Sequence, residues 1–200
     1  MVEKRTRDAA RGPGRPREER VTRAVLDAVL ALVAEQGMNA LTMDAVAVRA
    51  EVSKPAIYRR WPTKQDLIIA AAESRVGPLS IPDLGDFRAE LRAVLTARVE
   101  VYRTPGMDRL IVGVFGAAAD AGTGRSAYQA YINRVMGETG RILERGIVRG
   151  DVRPDTDVRA AATMVAAPLV FRLVAEQELP DSHLVDSVVE LVGRAVGVRH

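Results

Sequence analysis

Three observations predict an all-α chain. Apolar residues recur at helical spacing along most of the 200 residues, and no stretch shows the sustained apolar/polar alternation of a half-buried strand. The breaks between periodic stretches are rich in Gly, Pro and Asp, which suit turns between helices. The expected architecture is an N-terminal domain of three helices plus a connecting fourth, followed by a C-terminal helical bundle.

Residues 1–17 carry charges, Gly12, Pro13, Gly14 and Pro16 with hardly an apolar side chain, and read as a flexible basic arm. From Glu18 onward, Val21, Val25, Ala28, Val29, Leu32 and Val33 form the apolar face of a first helix, which Gly37 stops. Thr42 offers an N-cap to a short helix carrying Val46, Ala47 and Ala50, and Ser53 offers one to a second carrying Ile57 and Tyr58. Thr63 and Asp66 have capping-box spacing and open a fourth helix over 64–73. Gly77, Pro78, Pro82 and Gly85 then put a boundary inside 76–86, giving domains of 18–75 and 76–200. Longer helices are predicted over 87–102, 107–119, 125–147, 156–177 and 182–196.

Composition removes several classes of chemistry. Without cysteine there are no disulfides, thiol nucleophiles or thiolate metal sites, and the only histidines are His183 and His200. No metal or other cofactor is therefore expected. The longest apolar run, 160–171, is interrupted by Pro168 and is shorter than the roughly 20 residues of a membrane span. The basic N-terminus lacks the apolar stretch of a secretory signal, so a cytoplasmic location is expected. Charge is uneven: residues 1–75 hold 14 Lys and Arg against 10 Asp and Glu, whereas 76–200 hold 15 against 16. A polyanion-facing surface is therefore expected in the first part.

The densest constellation is LTMDAVAVRAEVSKPAIYRRWPTK, residues 41–64. Two short helices joined by a tight turn make a helix-turn-helix, whose second helix enters the major groove. Val52 and Ile57 would pack on Val46, Ala47 and the first helix. Lys54, Pro55, Ala56, Tyr58, Arg59 and Arg60 would lie on or near the outer face, where Arg or Lys can donate to guanine and Ala can touch a thymine methyl. Thr42, Ser53, Tyr58 and Lys64 suit phosphate contacts. Trp61 reads as a core residue.

Over residues 21–73 the sequence resembles the TetR family of transcriptional repressors. The resemblance rests on the first helix, Leu41-Thr42, Val46-Ala47, Ala50, Val52-Ser53-Lys54, Ile57-Tyr58-Arg59-Arg60-Trp61 and Lys64. It implies base reading by Lys54, Pro55, Ala56, Tyr58, Arg59 and Arg60, with Thr42, Met43 and Lys64 near the DNA backbone. One position departs from the pattern: the turn residue that is usually Gly is Glu51. A left-handed backbone there costs on the order of 1 kcal/mol. Gly14-Arg15-Pro16-Arg17 resembles the core of an AT-hook, so Arg15 and Arg17 are candidates for a narrow A·T-rich minor groove; the alternative is a solvated tail.

The C-terminal part holds no catalytic constellation. Gly122-Thr123-Gly124-Arg125-Ser126-Ala127 matches a nucleotide-binding glycine pattern after the strand-like stretch 110–115, but no second strand follows. His183 has no nucleophile elbow beside it. An enzyme and a helical adaptor remain the alternatives to a regulator. The resemblance implies an effector pocket among the C-terminal helices, for which Tyr102, Met107, Phe115, Tyr128, Tyr131, Met136, Met164 and Phe171 are candidates; the alternative is that they fill a core. The aromatic-poor, cation-poor C-terminal part points toward a neutral or apolar small molecule. The resemblance further implies a homodimer built from the last two helices, with Ala161, Val165, Leu169, Val185, Val188, Val189, Val192 and Val196 as candidate interface residues. It also implies a palindromic double-stranded DNA operator, and a fourth helix that couples effector to DNA.

Overall fold

The computed structural model describes residues 14–76, 79, 83–117 and 124–197, apart from the side chains at 14–17, 76, 116–117, 124–128 and 130–131. The described residues are 77% helical and form nine α-helices and no strand. Helix α1 spans Gly14–Gln36, and a single 3-10 turn, Met38–Ala40, follows it. The helix ends where the sequence predicts: Gly37 has φ 79° and donates its N–H to the Val33 carbonyl at 3.0 Å. Its start lies earlier than the sequence suggests. Residues 14–17 are drawn into the helix rather than preceding it as an arm, while residues 1–13 and the side chains of Arg15 and Arg17 lie outside the described residues.

Helices α2 (Met43–Arg49), α3 (Lys54–Tyr58) and α4 (Lys64–Val76) complete the N-terminal part. The Thr42 hydroxyl caps α2 by accepting the Ala45 N–H at 3.1 Å. The capping box at α4 forms in both directions: Thr63 Oγ1 accepts from the Asp66 N–H, and the Asp66 carboxylate accepts from the Thr63 N–H, each at 3.1 Å. Ile57 is fully buried with Val46 and Trp61, and Val52 packs against them. Burying one such side chain contributes about 1.5–3 kcal/mol. That is enough to hold a five-residue helix that is far too short to persist alone.

The C-terminal part comprises α5 (Phe87–Arg103), α6 (Met107–Ala117), α7 (Gly124–Arg149), α8 (Val158–Val174) and α9 (Ser182–Val196). The strand-like stretch 110–115 is helical, lying within α6, which removes the strand a nucleotide-binding unit would need. A buried carboxylate, Glu90, braces α5: it accepts from the Leu84 N–H at 3.1 Å and from Arg145 at 2.7 Å, and Arg149 lies 3.0 Å away. The core is continuous between the two parts. Helix α6 enters through Gly106, and Arg109 donates to the Val33 carbonyl at 3.0 Å, covering the C-terminal end of α1. No described helix is long and apolar enough to cross a membrane.

Candidate nucleic-acid interface and effector region

The turn between α2 and α3 sets the DNA-facing geometry. Glu51 adopts the left-handed conformation expected of a glycine there, with φ 55°. Val52 donates its N–H to the Ala47 carbonyl at 3.0 Å, which swings α3 across α2 with Ile57 inward. The opposite face then carries Ser53, Lys54, Pro55, Tyr58 and Arg59, all exposed, with Ala56 half-buried beside them. Ser53 stands at the N-cap position of α3, but its hydroxyl makes no cap hydrogen bond, so its polar group faces outward unspent.

The cations on this face differ in how far they are committed. Lys54 pairs with Asp44 at 2.7 Å, and that hydrogen bond raises its pKa above the ordinary lysine value. Arg49 is held bidentately by Glu35, which pushes the Glu35 carboxyl below its ordinary value. Arg60 folds back: it donates to the Ala56 carbonyl at 3.2 Å and lies half-buried toward Glu18, so it supports α3 rather than standing on its outer face. Met43 is 8% exposed and its side chain belongs to the core, which leaves its main chain, at the start of α2, for the proximity to the DNA backbone that the resemblance implies. The Arg59 side chain has no ion-pair or hydrogen-bond partner among the described residues. A guanidinium on an exposed face with no internal partner is free to make a bidentate contact with a base or phosphate.

Residues 25–71 match the family model described as bacterial regulatory proteins, tetR family, and residues 81–192 match the tetracyclin repressor-like C-terminal domain. The chain belongs to the TetR family. Among its relatives, the HTH-type transcriptional regulator YdeS of Bacillus subtilis is 29% identical over 184 residues, covering 88% of this chain and 90% of the relative. The regulator AqdR of Rhodococcus erythropolis is 31% identical over 144 residues, covering 72% and 69%. The solved TetR family regulator SCO0332 superposes with a TM-score of 0.71 at 29% identity, covering 89% of this chain and 99% of that one. FadR from Bacillus subtilis, solved in complex with stearoyl-CoA, superposes with a TM-score of 0.72 at 19% identity, covering 87% and 98%. Like other TetR members, this chain is a DNA-binding transcriptional regulator and not an enzyme.

In the C-terminal part, a cavity of about 50 Å³ lies between α5, α6, α7 and α8. Three of the candidate pocket residues, Tyr102, Phe115 and Met136, line it. Met107 is buried but lies elsewhere in the core, and the side chains of Tyr128 and Tyr131 lie outside the described residues. Met164 and Phe171 are corrected: at 55% and 61% exposure they face out of the bundle, not into the cavity. The candidate interface residues are corrected in the opposite sense. Ala161, Val165, Leu169, Val185, Val188, Val189, Val192 and Val196 are all buried inside the chain, where they join α8 and α9 to the rest of the bundle. An apolar stripe identifies the face that must be covered, but the bundle itself covers this one. A wider groove of about 850 Å³ between α1 and α4 has a charged rim that includes Glu18, Arg23, Asp27 and Arg75. It is open rather than enclosed, and the apolar cavity is the better chemical match to a small-molecule site.

Sequence reasoning missed Arg98, Glu138 and Thr139, all buried; Arg98 and Thr139 line the cavity and Glu138 pairs with Arg98. The signal was present. Arg98 falls in the apolar stripe formed by Leu91, Val94, Leu95 and Tyr102, at the spacing of inward positions on α5. A charged residue in such a stripe marks either a buried pair or a site.

Proposed function

We propose that this TetR family regulator is a repressor that binds a palindromic operator as a homodimer and is released by a small molecule held in the C-terminal part. The observation that carries this reading is the outward face of α3, where Ser53, Tyr58 and Arg59, unpartnered among the described residues, stand exposed while Ile57 anchors the helix from behind. A recognition helix of five residues can read only a few base pairs, so two copies related by a two-fold axis are needed for a specific site. Support for a dimer surface comes from the other end of the chain. Met164, Ala167 and Phe171 follow one another along the exposed side of α8, and Leu191 is exposed on α9. Large apolar side chains grouped on adjacent helices suit an interface with a second copy.

Within each half-site Arg59 reads bases, while Ser53, Tyr58 and Lys64 hold phosphates. Arg15 and Arg17, whose side chains lie outside the described residues, are the candidates for the flanking minor groove. The effector site is the cavity lined by Tyr102, Phe115 and Met136. FadR of Bacillus subtilis was solved with stearoyl-CoA; the small, largely apolar cavity here favours a smaller, mainly apolar effector. Selection from a pool of random duplexes at near-physiological salt tests the reading. A palindrome with half-sites spaced by whole helical turns is expected; sequence-blind retention that vanishes with added salt would refute it.

A further inference from the structure

The cavity between α5 and α8 contains one feature that a filled apolar core does not need. Arg98 lines it with a side chain only 6% exposed. Nη2 of Arg98 donates to Oε2 of Glu138 in a buried ion pair. Nη1 of the same guanidinium is buried and has no hydrogen-bond partner among the described residues. The remainder of the lining is largely aliphatic and aromatic, including Val94, Tyr102, Phe115, Met136 and Leu169. A donor withdrawn from water and left unpaired costs free energy that a bound acceptor would recover.

The charge balance determines which acceptor fits. Glu138 already neutralises Arg98, and its second oxygen accepts the Leu79 N–H at 3.0 Å. An incoming carboxylate would therefore bring an uncompensated negative charge into an apolar enclosure, where desolvation opposes it. A neutral carbonyl oxygen accepts from Nη1 without that cost. We propose that Arg98 is the polar anchor of the effector site, and that the site takes a compact apolar molecule bearing one neutral carbonyl-type acceptor. This rests on the effector-site reading above. The pair also reaches the connection beyond α4, because Leu79 lies three residues after Val76, the last residue of that helix. Glu138 is thus a positioning residue: it orients Arg98 and holds the chain segment that leads from the DNA-binding part.

The test uses the full-length protein and three probes of matched shape: cyclohexanone, methylcyclohexane and cyclohexanecarboxylate. About 150 Å³ accommodates a ring of this size, so the cavity must widen, and the flexible side chain of Met136 lets it do so. Dissociation constants are measured by ligand-detected NMR for the wild type, for Arg98→Met/Glu138→Gln and for Arg98→Lys. The double variant removes both charges while keeping an acceptor for Leu79; Arg98→Lys keeps the ion pair and removes the second donor of the fork. The wild type is expected to bind cyclohexanone about tenfold or more tightly than either other probe, as one charge-assisted hydrogen bond allows. Both variants are expected to lose that preference. Equal binding of methylcyclohexane, tighter binding of the carboxylate, binding of no probe, or a preference that survives both substitutions would each overturn the proposal. Binding of the wild type to its selected duplex without probe is measured in parallel. Failure there would overturn the operator reading and leave the probe result to decide the role of Arg98.

Discussion

Arg59 and Lys64 have different expected roles. Arg59 is exposed at the end of the recognition helix with no partner among the described residues, so Arg59→Ala should cost roughly 1–3 kcal/mol on the selected duplex and much less on random DNA. Lys64 opens α4, and Lys64→Ala should weaken both duplexes alike and flatten the salt slope by about one unit. Fluorescence anisotropy titrations at several salt concentrations check both; equal losses on both duplexes for Arg59→Ala would remove its base-reading role. Glu51 is the second informative residue. At φ 55° its side chain strains the turn, and it is exposed next to the start of α3. Glu51→Gly should stabilise the fold by about 1 kcal/mol in urea titration and tighten binding to random duplex. The need for a left-handed residue could be recognised from the motif, whereas the burial of Met43 and the folding back of Arg60 could not. Both outcomes depend on how α1 and α2 pack around them.

Where helices meet, small residues and caps control the assembly. Gly106 sits at φ 82° where α6 docks on α1, and a Cβ there would lie 2.8 Å from the Leu30 carbonyl oxygen. Gly106→Ala should therefore lower the urea midpoint by the equivalent of roughly 1–3 kcal/mol, through both backbone strain and lost packing. An unchanged midpoint would show that the α1–α6 junction yields freely. Helix α9 depends on a different device. The Asp181 side chain accepts the Leu184 N–H at 2.8 Å, which holds its carboxyl below the ordinary value. A carboxyl with a lowered folded pKa contributes stability that is complete above the ordinary Asp value and is lost as pH falls through the lower folded one. Acid titration of stability should show this decline, and Asp181→Asn should flatten it while still capping the helix at neutral pH. These helices, and the Thr42, Ser53 and Thr63 cap positions, were legible from spacing alone. The start of α1 was not, because Pro16 in a helix's first turn and Pro16 in an arm look alike in one dimension.

For the molecule as a unit, the decisive question is how two recognition helices are held at a fixed separation. Phe171 and Leu191 are 61% and 67% exposed, so Phe171→Glu and Leu191→Glu should cost the folded chain little. If those faces join two copies, the substitutions should produce monomers in sedimentation experiments and abolish tight binding to the full palindrome while weak half-site binding persists. A dimer that survives both changes would place the interface elsewhere. Coupling between effector and DNA then has a physical route available, because α6 packs against α1 and the Arg98–Glu138 pair holds Leu79 just beyond α4.

The sequence by itself determined the all-helical class, the helix-turn-helix, most helix boundaries and the family, because periodicity, capping residues and turn chemistry are local and leave a linear record. Only the tertiary structure decided which side chains are spare. An apolar stripe looks the same whether it meets its own bundle, as Val188 and Val192 do, or is left exposed, as Met164 and Phe171 are. A charge in such a stripe, Arg98, reveals an unpaired donor only when Glu138, 40 residues away, takes one half of its fork and leaves the other in the cavity. Burial and pairing depend on residues distant in the chain, and no local pattern encodes them.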